Sequence, residues 1–482
     1  MSKRIIFLLS LLMALSLMLA SCKENGLDNI LGTVPNNGFD NSPETDTGLV
    51  EDEKWLNENS DMPIKNEAIP YLQTTAGYAY FRNPVVVVMG TNNIVVFAEK
   101  RYNTSGSEND VGVTGSTAVD IVYVSSQNSG KSWNMAKIVG RGTESQNGND
   151  AVSSPVVFKI DDKTVVVVAS AGAGLSRIGT SYLSRSPKSE LRYTIGTYDS
   201  NSGTFTWTKE WADMTKIVED ATKNVKVTGN AKVYTYEQFG TLAARGFVTN
   251  NGKDLYLAVT LVDQGRSGNY ANNAFGNVMV KGTYSSSSVN WEVIEGTAIG
   301  FKTINNRGIS GYLESVAVGL KDGKVYYLAG GSSYYGSSTG VHIGEGKQGE
   351  QPTASGRVPG SEGSFSYLEV LNWKGLETYS PTNYNISNGT KQRLFAHVRG
   401  LNNRITIRAL DDTEFRQKTG TTEYIIQGYP TDNTVLAKSS SMDILGDGTI
   451  VMVAEQGGKE KEYYIVFKRF TQKFLAMKLG FN

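Results

Sequence analysis

Residues 81–102 read FRNPVVVVMGTNNIVVFAEKRY, two apolar runs with an arginine near each outer end. Asn92 and Asn93 separate the runs and suit the positive backbone φ of a tight turn, so the stretch predicts a β-hairpin. Because the strands of a hairpin are antiparallel, Arg82 and Arg101 are expected at the same rim. Two guanidinium groups on one rim suit a carboxylate-bearing ligand, since arginine offers a planar, permanently charged fork.

The same hairpin pattern returns five more times along the chain. The turn residues of these repeats are Asp161-Asp162, Asn251-Gly252, Asp322-Gly323, Trp373-Lys374-Gly375 and Asp447-Gly448. Regular recurrence at this spacing predicts an all-β fold, a six-bladed β-propeller of four-stranded sheets over residues 71–482. An array of β-sandwiches is the alternative, and the lack of Greek-key spacing argues against it.

Composition agrees with many short strands and limits the possible functions. The 482 residues include 52 glycines, 25 tyrosines and 11 prolines. Lys and Arg total 47, as do Asp and Glu, so no nucleic-acid partner is expected. With 2 histidines and 1 cysteine, the chain is expected to bind no metal at a His/Cys site and to use no cofactor.

The N-terminus has the pattern of a targeting segment. Lys3 and Arg4 precede an apolar run that ends in Leu-Ala-Ser-Cys at Cys22. This ending resembles a bacterial lipobox, which implies that residues 1–21 are a lipoprotein signal peptide and that lipid is attached at Cys22. The alternative is an ordinary secretory signal with a chance cysteine.

Residues 22–70 are polar, acidic and poor in β-branched residues, so they are interpreted as a flexible tether. The expected location is a bacterial outer membrane or cell surface, with the lipid anchor as the contact to the membrane.

Residues 126–133, SQNSGKSW, resemble the Asp-box S-x-D-x-G-x-T-W, with Asn128 in place of Asp and Ser132 in place of Thr. The segment 81–84 resembles the F/Y-R-I-P motif, and the segment 98–101 resembles A-E-x-R. Together these motifs resemble the bacterial and trypanosomal sialidases (neuraminidases). The resemblance implies a six-bladed propeller that acts on sialylated glycans or glycoproteins, with Trp133 in a structural turn.

The resemblance also implies site residues, because sialidases hold the sugar carboxylate with three arginines and use an Asp as acid/base. Arg82 matches the first arginine, and Arg101 matches the arginine that borders the 4-position of the sugar. Asp110 is the candidate acid/base, with Glu108 as the alternative.

Further positions follow from the same resemblance. Glu314 matches the glutamate that activates the nucleophilic Tyr, and Glu455 matches the glutamate that braces Arg82. The third arginine is either Arg399 or Arg404.

Several positions depart from the pattern. Ser439 stands where the nucleophilic Tyr is expected, and spacing supports neither Tyr429 nor the pair Tyr334 and Tyr335 as a substitute. No arginine follows at Ala329, where the second arginine is expected, and Ser154 replaces an Asp before Pro155.

Two function hypotheses stay open: a surface-tethered glycoside hydrolase of sialidase type, and a catalytically degenerate lectin or adhesin that binds sialoglycans. In the hydrolase, Glu314 would act as a general base through water. A protein-interaction scaffold is a third possibility.

Overall fold

The structure is a computed structural model. It describes residues 65–73, 79–102, 118–144, 150–172, 174, 189–208, 210–228, 233–236, 238–249, 251–263, 274–295, 299–302, 312–321, 324–331, 340–345, 358–359, 361–370, 392–399, 404–410, 420–425, 439–457 and 463–481.

The described strands form six sheets, numbered here by the position of their first hairpin along the chain. The first sheet contains β2 (Ala79–Met89), β3 (Asn93–Tyr102), β4 (Val119–Ser126) and β5 (Lys137–Ile138). The second contains β6 (Val152–Lys159), β7 (Thr164–Gly172), β8 (Ser189–Asp199), β9 (Thr204–Trp207), β10 (Ala212–Asp213) and β14 (Ala244–Arg245). The third contains β11 (Val225–Thr228), β12 (Val233–Tyr234), β13 (Gln238–Gly240), β15 (Phe247–Thr249), β16 (Asp254–Asp263), β17 (Ala274–Ser285), β18 (Ser288–Val293) and β19 (Ile299–Lys302).

The remaining sheets have four strands each. The fourth contains β20 (Tyr312–Lys321), β21 (Lys324–Gly331), β22 (Gly340–Glu345) and β23 (Val358–Pro359). The fifth contains β24 (Ser361–Val370), β25 (Gln392–Arg399), β26 (Arg404–Leu410) and β27 (Tyr424–Ile425). The sixth contains β28 (Ser440–Ile444), β29 (Ile450–Gly457), β30 (Tyr463–Phe470) and β1 (Lys65–Gln73).

The sheets contact one another in a closed circuit, which is the arrangement of a β-propeller. The contacts run from β28 to β2, β2 to β6, β6 to β15, β16 to β20, β20 to β24, and β24 back to β28. The predicted all-β propeller is therefore confirmed. The expectation of four strands in every sheet is wrong for the second and third sheets, which have six and eight strands, because extra short strands pair along their edges.

The hydrophobic core lies between neighbouring sheets. Phe97 and Val165 belong to one cluster between the first and second sheets. Val86 and Phe467 belong to another between the first and sixth sheets. Burying an apolar side chain of this size contributes about 1.5–3 kcal/mol, so these seams hold the circuit together.

Strands β2 and β3 form the predicted hairpin, with Arg82 opposite Glu99 and Met89 opposite Asn93. Its turn comprises residues 90–92 and not the predicted pair Asn92 and Asn93. Gly90 supplies the positive φ, at 76°.

Strand β1 pairs antiparallel with β30, so an N-terminal strand completes the sheet of the C-terminal strands. This strand begins at Lys65, inside the range that the sequence interpretation assigned to the tether. The folded part therefore starts before residue 71, because residues near 65 satisfy backbone groups of β30.

Side chains of β28 bind the backbone of β2 and hold the sixth sheet against the first. Ser441 Oγ accepts from Val86 N–H at 3.1 Å, and Asp443 Oδ2 accepts from Val88 N–H at 2.7 Å. Arg245 on β14 lies with Nη2 3.1 Å from Asp443 Oδ1. These contacts fix the strand on which Arg82 is carried.

Two helices are present in the described part of the chain: α1 (Thr215–Thr222) and α2 (Gln472–Lys478). Thr471 caps α2 by accepting a hydrogen bond from Phe474 N–H. Phe474 and Leu475 then pack into the cluster formed by the fifth and sixth sheets.

The turn at residues 126–133 is held by its own hydrogen bonds. Ser126 Oγ accepts from Gly130 N–H at 2.8 Å, and Asn128 Oδ1 accepts from Ser132 N–H at 2.9 Å. The ring of Trp133 packs edge-on against Phe467, with 5.2 Å between centroids. Trp133 therefore serves folding, as the sequence interpretation expects.

Candidate functional site

Arg82 and Glu455 form a buried ion pair between the first and sixth sheets. Arg82 Nε lies 2.9 Å from Glu455 Oε1. Arg82 is 7% exposed, and Glu455 is fully buried. The contact brings residues of β2 and β29 together at one rim of the propeller. It matches the pairing expected from the motifs.

Arg101 and Glu99 form a second buried ion pair within β3. Arg101 Nε donates to Glu99 Oε2 at 2.7 Å, and its Nη2 lies 2.5 Å from the same oxygen. Arg101 is 4% exposed, and Glu99 is fully buried. The charges of the two arginines and the two carboxylates cancel. The site is therefore defined by the geometry of these side chains and not by an excess of positive charge.

Asn83 contacts both carboxylates. Its backbone N–H donates to Glu455 Oε1 at 2.5 Å, and its side-chain Nδ2 donates to Glu99 Oε1 at 2.8 Å. Asn83 lies in a β-bulge of β2, where the register shifts between Arg82 and Val85. A bulge redirects side chains and frees a backbone N–H from the ladder, which explains how Asn83 reaches both partners.

Ser154 lies in a corresponding bulge of β6. Its backbone N–H donates to Glu99 Oε1 at 2.7 Å, so Glu99 links the first and second sheets. The carbonyl of Ser154 accepts from Thr241 Oγ1 at 2.7 Å, and Thr241 lies 3.1 Å from Ser170 Oγ. Hydroxyl groups thus surround this position, where the resemblance expects an aspartate.

Asp120 forms a network beside Arg101. It accepts a hydrogen bond from Tyr102 Oη at 3.0 Å, and Arg141 Nη2 lies 3.2 Å from its Oδ1. Burial, and then the charge of Asp120, raise the pKa of Tyr102 above its ordinary value. Tyr102 is therefore a neutral donor that holds the end of β3 against β4.

Comparison with solved structures finds sialidase-fold proteins. A Trypanosoma rangeli sialidase in complex with a difluoro-KDN compound matches with a TM-score of 0.54 and 15% identity over 83% of this chain and 55% of that chain. A mutant of the same sialidase that displays trans-sialidase activity matches with a TM-score of 0.53 and 13% identity over 86% of this chain and 58% of that one. A leech intramolecular trans-sialidase matches with a TM-score of 0.51 and 11% identity, covering 84% of this chain and 70% of that chain.

The chain has a sialidase-like β-propeller fold. It spans little more than half the length of the two trypanosomal chains. No family model matches the sequence, and no curated protein does. At identities this low, the similarity establishes the fold alone.

Only some of the predicted site residues lie in the described part of this sialidase-like fold. Arg82, Arg101 and Glu455 meet at one rim, as above. Asp110, with its alternative Glu108, and the alternative tyrosines Tyr334, Tyr335 and Tyr429 lie outside the described residues, as does Cys22.

Glu314, Arg399 and Arg404 are placed through the backbone alone. Glu314 lies near the start of β20, with Gly330 as its Cα partner. Arg399 ends β25 and Arg404 begins β26, and the two are Cα partners. Both arginines thus lie at the same end of one hairpin. Spacing along the sequence therefore does not decide which of them is the third arginine.

Ser439 is buried directly before β28, and its carbonyl accepts from Glu455 N–H at 2.8 Å. Ser439 is therefore adjacent to the Arg82–Glu455 pair. Ala329 lies on β21 opposite Ser315 and His342, and no arginine is found there.

Sequence reasoning missed the roles of Asn83 and Glu99. Glu99 was visible as the Glu of A-E-x-R, but its four donor contacts depend on residues from two sheets. The role of Asn83 depends on a positive φ before a proline, which sequence patterns do not predict.

Further features bear on cofactors and membranes. Among the described residues, no group of three His, Cys, Asp or Glu side chains is arranged to hold a metal ion. The described helices include none that is both long and apolar enough to cross a membrane.

Proposed function

We propose that this protein is a sialidase-like glycoside hydrolase that acts on terminal sialic acid or related acidic sugars of glycoconjugates. The observation that carries the proposal is the pair of arginines at one rim, each held by its own buried carboxylate. A carboxylate on the Nε side fixes the plane of a guanidinium before any ligand arrives. Such preorganisation reduces the cost of binding a ligand carboxylate.

The closed circuit of six sheets supports a six-bladed propeller in which each sheet is one blade. In this arrangement the starts of the inner strands and the ends of their hairpin partners share one face. Arg399 and Arg404 end and begin strands of one hairpin, so one of them completes the set of arginines around the ligand.

The catalytic roles in this proposal fall to two carboxylates. Asp110 serves as acid/base, and Glu314 serves as a general base that activates water. A water-based mechanism predicts inversion of configuration at the sugar, with about 6.5–9.5 Å between the two carboxyl groups.

A lectin that binds sialoglycans without hydrolysing them is the second candidate, and Ser439 favours it. This buried serine stands where the resemblance expects a tyrosine nucleophile. A serine hydroxyl is a much weaker acid than a phenol, and loss of a nucleophile costs several orders of magnitude in rate. Binding through Arg82 and Arg101 would survive that loss.

The proposal includes a surface location. Cleavage before Cys22 and lipid attachment there would leave the propeller on a tether outside the membrane. A Cys22→Ser variant is then expected to carry no covalently attached lipid, and lipid that is still attached to this variant would contradict the anchor.

Hydrolysis of a fluorogenic sialic acid glycoside by the purified protein tests the function. The variants are Arg82→Ala, Asp110→Ala and Arg192→Ala. Arg192 is a matched control, because it pairs with Glu190 two residues earlier, as Arg101 does with Glu99, but is partly exposed on β8.

Release that is lost in the first two variants and kept in Arg192→Ala supports the hydrolase. Binding of sialylated glycans without release, abolished by Arg82→Ala, supports the lectin. If the protein neither releases sialic acid nor binds sialylated glycans, both candidates are overturned, and an interaction scaffold is left.

A further inference from the structure

Asn83 contacts the carboxylates of two buried ion pairs. One is Arg82 with Glu455 across the seam between the sixth and first sheets, and the other is Arg101 with Glu99 inside β3. Asn83 donates its backbone N–H to Glu455 and its side-chain amide to Glu99. A single residue thus bridges the two carboxylates.

The backbone of Asn83 explains why this residue type is needed. Its φ is 53°, in the left-handed region, and it precedes Pro84. Asparagine adopts this region more readily than other non-glycine residues, whereas a β-branched side chain there is an outlier. The sialidase motif that residues 81–84 resemble has Ile at this place, and Ile has no amide to donate.

We propose that Asn83 is a positioning residue that couples Arg82 to Arg101, so that the two guanidinium groups meet an acidic sugar as one unit. Its amide holds Glu99, and Glu99 holds Arg101. Its backbone N–H holds Glu455, and Glu455 holds Arg82. This inference rests on the proposed function for the identity of the ligand, but the coupling itself is a property of the unliganded protein.

The coupling makes a specific distinction between two substitutions. Asn83→Asp keeps the shape and the tolerance for positive φ, but it replaces the amide donor with a carboxylate oxygen that faces Glu99. Asn83→Gly keeps the backbone bond to Glu455 and removes only the side-chain bond. Asn251→Asp is the matched control, because Asn251 also has a positive φ, at 51°, in an exposed turn between β15 and β16.

The first measurement is the NMR signal of the arginine Nε–H groups in the unliganded protein, assigned through Arg82→Lys and Arg101→Lys. Asn83→Asp is expected to shift the Nε–H signals of both arginines. Asn83→Gly is expected to shift that of Arg101 more than that of Arg82, and Asn251→Asp is expected to shift neither. Unchanged Arg101 signals in both Asn83 variants would overturn the coupling.

The second measurement is calorimetric binding of 3'-sialyllactose. Asn83→Asp is expected to weaken binding about tenfold or more and Asn83→Gly somewhat less, with Asn251→Asp at the wild-type value. Wild-type affinity in both Asn83 variants would overturn the positioning role. If the wild-type protein itself does not bind this probe, the proposed function fails, and the NMR signals still decide whether Asn83 couples the arginines.

Discussion

Glu99 and Lys468 are both fully buried, but burial has different consequences for the two ionisable groups. Glu99 receives hydrogen bonds from Asn83, Arg101 and Ser154. Lys468 lies on β30 between Met452 of β29 and Asn66 of β1. Burial lowers the pKa of Lys468 to about 7. The buried carboxylate of Glu99 is thus matched by donors, whereas burial of Lys468 makes its ammonium group lose a proton more easily.

The largest change in stability is expected when Glu99 is removed from its donors. Glu99→Ala leaves the Arg101 guanidinium without its buried carboxylate and leaves the Asn83 amide and the Ser154 N–H without their acceptor. Removing one partner of a buried pair costs about 3–5 kcal/mol, and each unsatisfied donor adds about 1–3 kcal/mol. We expect the free energy of unfolding to fall by roughly 5 kcal/mol or more in urea denaturation. A loss under about 1 kcal/mol would show that Glu99 is not the organising acceptor.

A smaller change, an increase in the free energy of unfolding, is expected when Lys468 is replaced. Its pKa is about 7 in the folded protein and 10.5 in its ordinary state, so between these values the unfolded chain binds more protons than the folded one. The free energy of unfolding therefore rises with pH between about 7 and 10.5. Below pH 7 the folded protein bears the full cost of burying the ammonium group.

Replacing Lys468 by an apolar side chain of similar length removes that cost. Lys468→Met is expected to raise the free energy of unfolding by about 2–4 kcal/mol at pH 6, with the gain shrinking toward pH 10. Denaturation at several pH values checks this, with exposed Lys253→Met as the control. A gain that does not change with pH would contradict the titration of Lys468.

The smallest effect is expected where solvent screens a pair. Lys100 and Glu144 form an ion pair close to the rim, but the Glu144 side chain is 45% exposed. Glu144→Gln is expected to change the free energy of unfolding by about 0–1 kcal/mol, and less at high salt. A change as large as that of Glu99→Ala would mean that exposure does not separate these carboxylates.

Much of the fold could be predicted because its signals are local. The hairpin of β2 and β3, the shared rim of Arg82 and Arg101, and the structural turn at Trp133 depend on residues close together in the sequence. The enlarged second and third sheets could not be predicted, because their extra strands are only two to four residues long. β14 is one example, and it pairs with β6 far earlier in the chain.

The candidate site was predictable only in part. The contact of Glu455 with Arg82 was expected from a family resemblance and not from spacing, since the two residues are 373 positions apart. The positive φ values of Asn83 and Ser154 were not foreseeable, because each precedes a proline that normally favours extended backbone.

The sequence by itself determined the alternation of strands and turns and the positions of arginines at strand ends, because side-chain period and turn chemistry act over a few residues. Only the tertiary structure decided that β1 completes the sheet of the last strands, that Asn83 bridges Glu99 and Glu455, and that Lys468 is enclosed. These outcomes depend on which distant segments become neighbours when the sheets close into a circuit. That closure is set by packing between sheets, which brings a donor from the second sheet to Glu99 and buries Lys468.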